Sequence, residues 1–247
     1  MSLGIWPLST PAERDALAFL IAHLPADGRY EVEIRPTPQD KPMPLTIEDV
    51  KASTAIKGGA FPSLTEAVRI RPPGHVLEFG VFQGDSLRHI AQQVPDTVHG
   101  FDSFQGLPED WTFYIVGPNN HPKGYFGMSD WTVFNWPANS RIWPGWFADT
   151  IPQWLAEVPG PIGMIHIDSD LYSSARSILF GLNERIVAGT VLVFDELYLG
   201  WEDAGTPYPN WRAHEWRALQ EWLEECNREV RPHSHSTRYS ATVVVTR

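Results

Sequence analysis

Several carboxylate side chains stand where short apolar segments of this 247-residue chain end. Asp102, Asp168 and Asp195 each close a segment typical of a buried β-strand, and Asp170 and Glu196 follow in the next loops. Because parallel strands present their carboxyl ends at one edge of a sheet, we expect these acids to gather there. Crowded carboxylates repel one another, and a hard divalent cation such as Mg2+ relieves that repulsion. We therefore predict Asp168, Asp195 and Glu196 as Mg2+ ligands. The alternative is that each acid caps a helix or pairs with Lys or Arg.

A glycine-containing turn precedes the first of these acids. Residues 75–102 read HVLEFGVFQGDSLRHIAQQVPDTVHGFD, which predicts a strand, a turn with Gly80 and Gly84, an amphipathic helix and a second strand ending at Asp102. This order is half of a doubly wound nucleotide-binding fold. The glycines allow a ligand to approach the backbone, and the terminal acid can accept hydrogen bonds from ribose hydroxyls. The segment predicts an adenosine-type cofactor, although its G-x-x-x-G spacing differs from that of dinucleotide enzymes.

Polar residues beside this turn extend the predicted cofactor site. Glu78 lies within the strand, two residues before Gly80. Ser86 begins the following helix, where we expect it to cap the helix and to contact the carboxylate of the cofactor. Farther along the chain, His214 and Glu215 lack the second histidine of the H-E-x-x-H motif, which excludes a zinc protease of that type.

The elements that must position these residues alternate regularly after residue 72. Short βα units with continuous apolar strands predict an α/β domain over 73–247, with a doubly wound, mostly parallel sheet covered on both faces. Residues 1–72 hold predicted helices, one of them near 11–24, and proline-rich stretches, and we expect them to form an N-terminal helical cap. Residues 103–140 are rich in aromatic side chains, which argues against disorder and favours a lid that covers the substrate. A packed insertion is the alternative.

Composition excludes several classes of protein. The net charge is −11 and no basic cluster occurs, so we expect no nucleic-acid partner. The single cysteine excludes an internal disulfide and a thiolate metal cluster. No apolar run is long enough to span a membrane, and we expect a soluble, cytoplasmic protein. The sequence leaves open whether the protein forms a homo-oligomer, because aromatic side chains at a lid and at a subunit interface look alike in sequence.

The motifs in combination resemble the macrocin-type family of class I (Rossmann-like) S-adenosylmethionine-dependent O-methyltransferases. The similarity covers roughly residues 75–225, and the segments that carry it are Glu78–Ser86, Gly100–Trp111, Gly145–Thr150, His166–Tyr172 and Phe194–Glu196. Members of this family use Mg2+ to methylate sugar hydroxyls of natural products such as macrolides and aminocoumarins. The resemblance implies a seven-stranded sheet with S-adenosylmethionine as the cofactor.

The resemblance also implies roles for residues of the cofactor site. Gly80 and Gly84 would line the methionine part of S-adenosylmethionine. Asp102 would hold the ribose hydroxyls, and Ser103 and Phe147 would lie near the ribose and the adenine. These roles complete the predicted cofactor site, together with Glu78 and Ser86.

The remaining implications concern the reaction. Asp170 would be the general base, and the metal ligands would be Asp168, Asp195 and the acid that follows it. Glu196 stands where this family often has a second aspartate, so the resemblance fits less well there. The function expected is Mg2+-assisted methylation of a small-molecule hydroxyl, with a sugar implied by the resemblance and a phenol or an amine left open. The alternatives are a nicotinamide-dependent oxidoreductase and a noncatalytic relic of the methyltransferase fold.

Overall fold

The computed structural model describes two compact units, residues 1–43 and 44–247. In all, it describes residues 2–5, 31–34, 44–111, 121–198, 210–236 and 239–247. The described part of the first unit is a parallel pair of short strands, β1 (Ser2–Ile5) and β2 (Glu31–Ile34). The helix predicted near residues 11–24 lies outside the described residues. The boundary predicted between residues 72 and 73 falls inside the second unit.

The second unit is built on one sheet of eight strands in the order β3-β9-β10-β8-β7-β4-β5-β6. The strands are β3 (Thr54–Ile56), β4 (His75–Phe79), β5 (Val98–Asp102), β6 (Ser140–Pro144), β7 (Ile162–Ile167), β8 (Ile186–Phe194), β9 (Val230–Ser236) and β10 (Ala241–Val245). Only β10 runs antiparallel to its neighbours. The mostly parallel α/β fold predicted from the sequence is confirmed.

The sheet has one strand more than the seven expected. The three-residue strand β3 lies at the sheet edge, where it pairs in parallel with β9. Thr54 and Ala55 are exposed, so this strand lacks the apolar alternation by which a strand is recognised in sequence.

Helices cover both faces of the sheet. They are α1 (Ile47–Lys51), α2 (Pro62–Ile70), α3 (Asp85–Ala91), α4 (Phe147–Glu157), α5 (Tyr172–Gly181) and α6 (Glu215–Glu225). Successive strand residues point to opposite faces, so that Val76 packs in one apolar cluster with α2 and α3, and Leu77 in another with α4, α5 and α6. Among the described residues, no helix is long and apolar enough to cross a lipid bilayer.

A buried histidine lies between β5 and β6. The Trp143 indole donates a hydrogen bond from Nε1 to His99 Nδ1 at 3.2 Å, which requires Nδ1 to be unprotonated. Burial, reinforced by the charges of His75 and Arg141, lowers the pKa of His99 to about 4. His99 is therefore neutral in the folded protein at neutral pH.

The neutral His99 links stability to pH. In the unfolded chain this histidine takes up a proton near its ordinary pKa of 6.5, and in the folded protein it does so only near 4. The stabilisation is complete above pH 6.5 and decreases as the pH falls toward 4, by on the order of 3 kcal/mol at about 1.4 kcal/mol per pKa unit. We expect the free energy of unfolding, measured by urea titration, to decrease as the pH is lowered through this range. The decrease should be less steep in His99→Phe. Equal slopes for the two proteins would contradict this account.

Candidate active site

A cavity of about 450 Å3 opens at the carboxyl ends of β4, β5, β7 and β8, and its size lies in the range of small-molecule sites. Its walls come from the turns after these strands, from the segment 103–140 and from the first turns of α4 and α5. The lining residues are Gly80, Phe82, Asp102, Ser103, Gly106, Leu107, Pro108, Trp111, Phe126, Trp146, Phe147, Ala148, Asp168, Ser169, Asp170, Ser173, Ser174, Ser177 and Glu196.

The two glycines of the predicted turn have different surroundings. Gly80 lines the cavity with φ +89°, and a Cβ atom there would stand 1.8 Å from the backbone oxygen of Asp168. Gly84 precedes α3 with φ +82°, and a Cβ atom there would stand 2.6 Å from the ring of Trp136. Gly80 thus allows the ends of β4 and β7 to approach each other, and Gly84 allows an aromatic side chain of the segment 103–140 to pack on the turn.

Asp102 holds the turn to the start of the segment 103–140. Its Oδ2 accepts hydrogen bonds from the backbone N–H groups of Val81 at 2.9 Å and Phe82 at 2.8 Å. Its Oδ1 accepts one from the N–H of Phe104 at 2.7 Å. Burial raises the pKa of Asp102, and the three N–H donors act in the opposite direction. A carboxylate offers about four acceptor positions, so these bonds leave room for a ligand hydroxyl.

Ser103 and Phe147 both line this cavity. The Ser103 hydroxyl donates to the carbonyl of Gly106 at 3.2 Å and accepts from the N–H of Gln105 at 3.1 Å. Phe147 is the first residue of α4, and its ring packs edge-on against Phe79 with 5.1 Å between centroids. Both side chains are therefore held in place at the wall of the cavity.

Glu78 and Ser86 are not among the described residues that line the cavity. Glu78 is fully buried in β4, with its Oε1 2.8 Å from Nδ1 of His166 on the neighbouring strand β7. Ser86 is buried in α3, whose N-cap is Gly84 with no side-chain cap hydrogen bond, so the expectation that Ser86 caps this helix is wrong. Glu78 thus lies in the strand before the glycine turn and Ser86 in the helix after it, and their contact with a cofactor stays a prediction.

Three acids form a compact cluster at the ends of β7 and β8, and two of them, Asp168 and Glu196, line the cavity. One carboxylate oxygen from each of Asp168, Asp195 and Glu196 lies within 4.8 Å of the others. Burial is the main cause that raises the pKa of all three. Repulsion by neighbouring acids adds to it at Asp168 and Glu196, whereas His166 lowers the pKa of Asp195. Glu196 Oε2 is buried without a hydrogen-bond partner among the described residues. Carboxylate oxygens with an unpaired member suit a hard divalent cation.

Asp170 faces the cavity beside this cluster. Its backbone has φ +60°, a left-handed conformation that costs on the order of 1–3 kcal/mol in residues other than glycine and that is frequent at functional sites. Burial, followed by the charges of Glu215, Asp195 and Asp102, raises its pKa well above the ordinary value. A carboxylate with a raised pKa is a stronger base than an exposed one.

Glu215 belongs to the same group of acids, and the sequence analysis assigned it no role. It is fully buried at the start of α6, where its Oε1 accepts hydrogen bonds from Ser169 and its Oε2 accepts one from the N–H of Glu196. Burial raises its pKa to about 8, although the hydrogen bonds from Ser169 and Glu196 act the other way. In sequence it is an acid in the first turn of a helix, which the helix dipole alone explains.

The described part of the segment 103–140 forms an aromatic wall over the cavity. Trp111 and Phe126 line it directly. The rings of Phe126 and Phe82 meet edge to face at 5.7 Å, which joins this wall to the glycine turn. Below them, Phe104 stacks on Trp131 at 4.9 Å. That the wall acts as a lid stays a prediction.

Comparison with known proteins decides the family of the central part of the chain. Residues 77–197 match the family described as a methyltransferase domain. The chain therefore carries a methyltransferase domain. This stretch begins in β4 and ends just after Glu196, so it contains the glycine turn, Asp102 and the acid cluster. The family resemblance inferred from the sequence is confirmed at this level.

Two curated relatives extend the match beyond this domain. The chain is 29% identical over 148 residues to the 8-demethyl-8-(2,3-dimethoxy-alpha-L-rhamnosyl)-tetracenomycin-C 4'-O-methyltransferase of Streptomyces olivaceus, which covers 50% of the chain and 53% of the relative. It is 26% identical over 188 residues to demethyldecarbamoylnovobiocin O-methyltransferase of Streptomyces niveus, which covers 69% of each. The chain thus spans about half the length of the first relative.

The methyltransferase domain and its flanks share their fold with solved structures. The calicheamicin methyltransferase CalS11 superposes with a TM-score of 0.56 at 20% identity, covering 96% of this chain and 94% of that one. At this identity the likeness concerns the fold alone.

The contact between Gly80 and Asp168 can be tested by substitution. We expect Gly80→Ala to lower the free energy of unfolding by several kcal/mol. The new Cβ atom would overlap the Asp168 carbonyl, and the alanine residue would have to adopt a positive φ. Gly58→Ala is the matched control, since Gly58 has φ +85° with nothing within 4 Å of the new atom. It should show only the conformational cost of about 1–2 kcal/mol. Equal losses in the two variants, measured by urea unfolding, would show that the Gly80 contact is unimportant.

Proposed function

We propose that this protein is an S-adenosylmethionine-dependent, Mg2+-assisted O-methyltransferase that acts on a hydroxyl of a small-molecule natural product. The observation that carries the proposal is that one cavity is lined by Gly80 and Asp102 and also by Asp168 and Glu196, two of the three clustered acids. The methyltransferase domain supports it, and so do the two curated relatives, both of which are named as O-methyltransferases. They do not favour a nicotinamide-dependent oxidoreductase.

The cofactor side of the cavity suits an adenosine-containing methyl donor. S-adenosylmethionine, when bound, would supply an electrophilic methyl group carried on a sulfonium. Gly80 lines the cavity, where the methionine part would lie, and the remaining acceptor position of Asp102 is available to a ribose hydroxyl. Ser103 and the ring of Phe147 stand on the same wall, where they would contact the ribose and the adenine.

The acid cluster suits the metal. Asp168, Asp195 and Glu196 would hold Mg2+, which when bound would lower the pKa of a coordinated hydroxyl and orient it. Asp168 and Glu196 border the cavity, so they present oxygen atoms to an incoming ligand. Oε2 of Glu196 is buried without a hydrogen-bond partner among the described residues, which supports the place of Glu196 in the ligand set in spite of its longer side chain.

Asp170 would take the proton that the acceptor hydroxyl loses. It lies on the cavity surface two residues after Asp168, and its pKa is raised mainly by burial. The aromatic rings of Trp111 and Phe126 would keep water from the reacting groups and pack on the flat face of the acceptor. A sugar hydroxyl is the acceptor we favour, because the tetracenomycin relative is named for a substrate that carries a rhamnosyl group.

The role of Asp170 gives the central test. We expect Asp170→Asn to bind S-adenosylmethionine as the wild type does in calorimetry. Its kcat for methyl transfer from labelled S-adenosylmethionine to a glycosylated acceptor should fall by about 10²- to 10⁴-fold, the usual contribution of a general base. Asp96→Asn, at an exposed acid outside the cavity, is the control and should be fully active. An unchanged kcat in Asp170→Asn would remove the base assignment, and a wild type that binds no S-adenosylmethionine would overturn the proposed function.

The metal site is tested separately. Asp195→Ala should weaken Mg2+ binding by at least about 100-fold in calorimetry, because the loss of outer-shell partners alone changes metal affinity about 10- to 100-fold. Binding of S-adenosylmethionine should persist, since Asp195 does not border the cavity. Asp96→Ala serves as the control for removing one acidic side chain. Normal activity of Asp195→Ala in the presence of a chelator would refute the metal site.

A further inference from the structure

We propose that Glu215 is a positioning residue that holds the loop of Asp168 and Asp170 and the loop of Asp195 and Glu196 at the spacing that Mg2+ requires. The inference rests on the proposed function, because it assigns a role toward the metal of that site. None of the roles inferred from the sequence includes Glu215.

The contacts of Glu215 join two loops that are far apart in the chain. Its Oε1 accepts from the backbone N–H of Ser169 at 3.3 Å and from the Ser169 hydroxyl at 3.2 Å. Ser169 lies between Asp168 and Asp170. Its Oε2 accepts from the N–H of Glu196 at 3.3 Å. One carboxylate therefore bridges the ends of β7 and β8, with a separate oxygen assigned to each loop.

The helix start fixes this bridge from behind. Glu215 is the first residue of α6, and Trp216 beside it packs edge-on against Trp211 at 5.1 Å. Both tryptophans are buried in the apolar cluster that joins α6 to the sheet. A carboxylate that only stabilised the helix dipole would need no partners outside the helix. Here both oxygen atoms accept from the loops that carry the acids.

The chemistry of the cluster explains why such a bridge is needed. Asp168, Asp195 and Glu196 repel one another when they are ionised, and Mg2+ accepts little deviation from octahedral geometry. Side chains behind metal ligands orient them, and their loss typically lowers metal affinity about 10- to 100-fold. We expect the same range for loss of the Glu215 bridge.

The effect of position can be separated from the effect of charge with two variants. Glu215→Gln keeps the length of the side chain but has one acceptor oxygen, so that one loop faces an amide N–H group. Glu215→Asp keeps the carboxyl group but is one methylene shorter, so it cannot span both loops. Positioning predicts that both variants lose Mg2+ affinity, whereas an effect of charge alone predicts that Glu215→Asp binds as the wild type does.

The measurement is calorimetric titration with Mg2+ alone, and a second titration with S-adenosylmethionine alone. We expect Mg2+ to bind about 10- to 100-fold more weakly to both Glu215 variants. The affinity for S-adenosylmethionine should be unchanged. Glu224→Gln makes the same substitution at an exposed position of α6 and should bind Mg2+ as the wild type does. The turnover rate of the Glu215 variants should be closer to that of the wild type at saturating Mg2+ than at limiting Mg2+. A general loss of folding would not produce this dependence on Mg2+.

Each other result overturns the inference in a recognisable way. Wild-type Mg2+ affinity in Glu215→Gln, or in Glu215→Asp, would exclude positioning by the bridge. If neither variant folds, Ser169→Ala decides, since it removes only the hydroxyl donor to Glu215: unchanged Mg2+ affinity would overturn the inference, and severalfold weaker binding would support it. If the wild type itself binds no Mg2+, the metal site of the proposed function fails together with this inference.

Discussion

The crowding of carboxylates at one edge of the sheet is the constraint on which the rest of the site depends. Asp168, Asp170, Asp195, Glu196 and Glu215 all have raised pKa values, with burial as the main cause. A parallel sheet brings this about by its geometry, because it places the ends of successive strands side by side. The arginine ion pairs of the described residues involve other acids, such as Asp85 and Glu157.

The site treats its acids in two different ways. Asp102 is surrounded by backbone N–H donors, which bind the charged form and tie it to the glycine turn. The acids after β7 and β8 face one another instead, and Glu196 retains a buried oxygen without a partner among the described residues. The first arrangement suits a carboxylate that receives hydroxyl groups from a ligand. The second suits carboxylates that share a cation.

The sequence predicts best what depends on the ends of strands. Asp102, Asp168 and Glu196 could be assigned to one cavity because each follows a continuous apolar strand, and such strands form a parallel sheet. The depth of a side chain is harder to predict, since Glu78 belongs to the strand that leads into the glycine turn but is paired with the buried His166. Glu215 could not be predicted, because only the packing of α6 brings it to these loops.

The buried pair of Glu78 and His166 also affects the acid cluster. His166 lowers the pKa of Asp195, and so does a hydrogen bond with Glu196, whereas neighbouring acids raise the pKa values of Asp168 and Glu196. A residue buried in the middle of the sheet thus favours the charged form of an acid at the sheet edge.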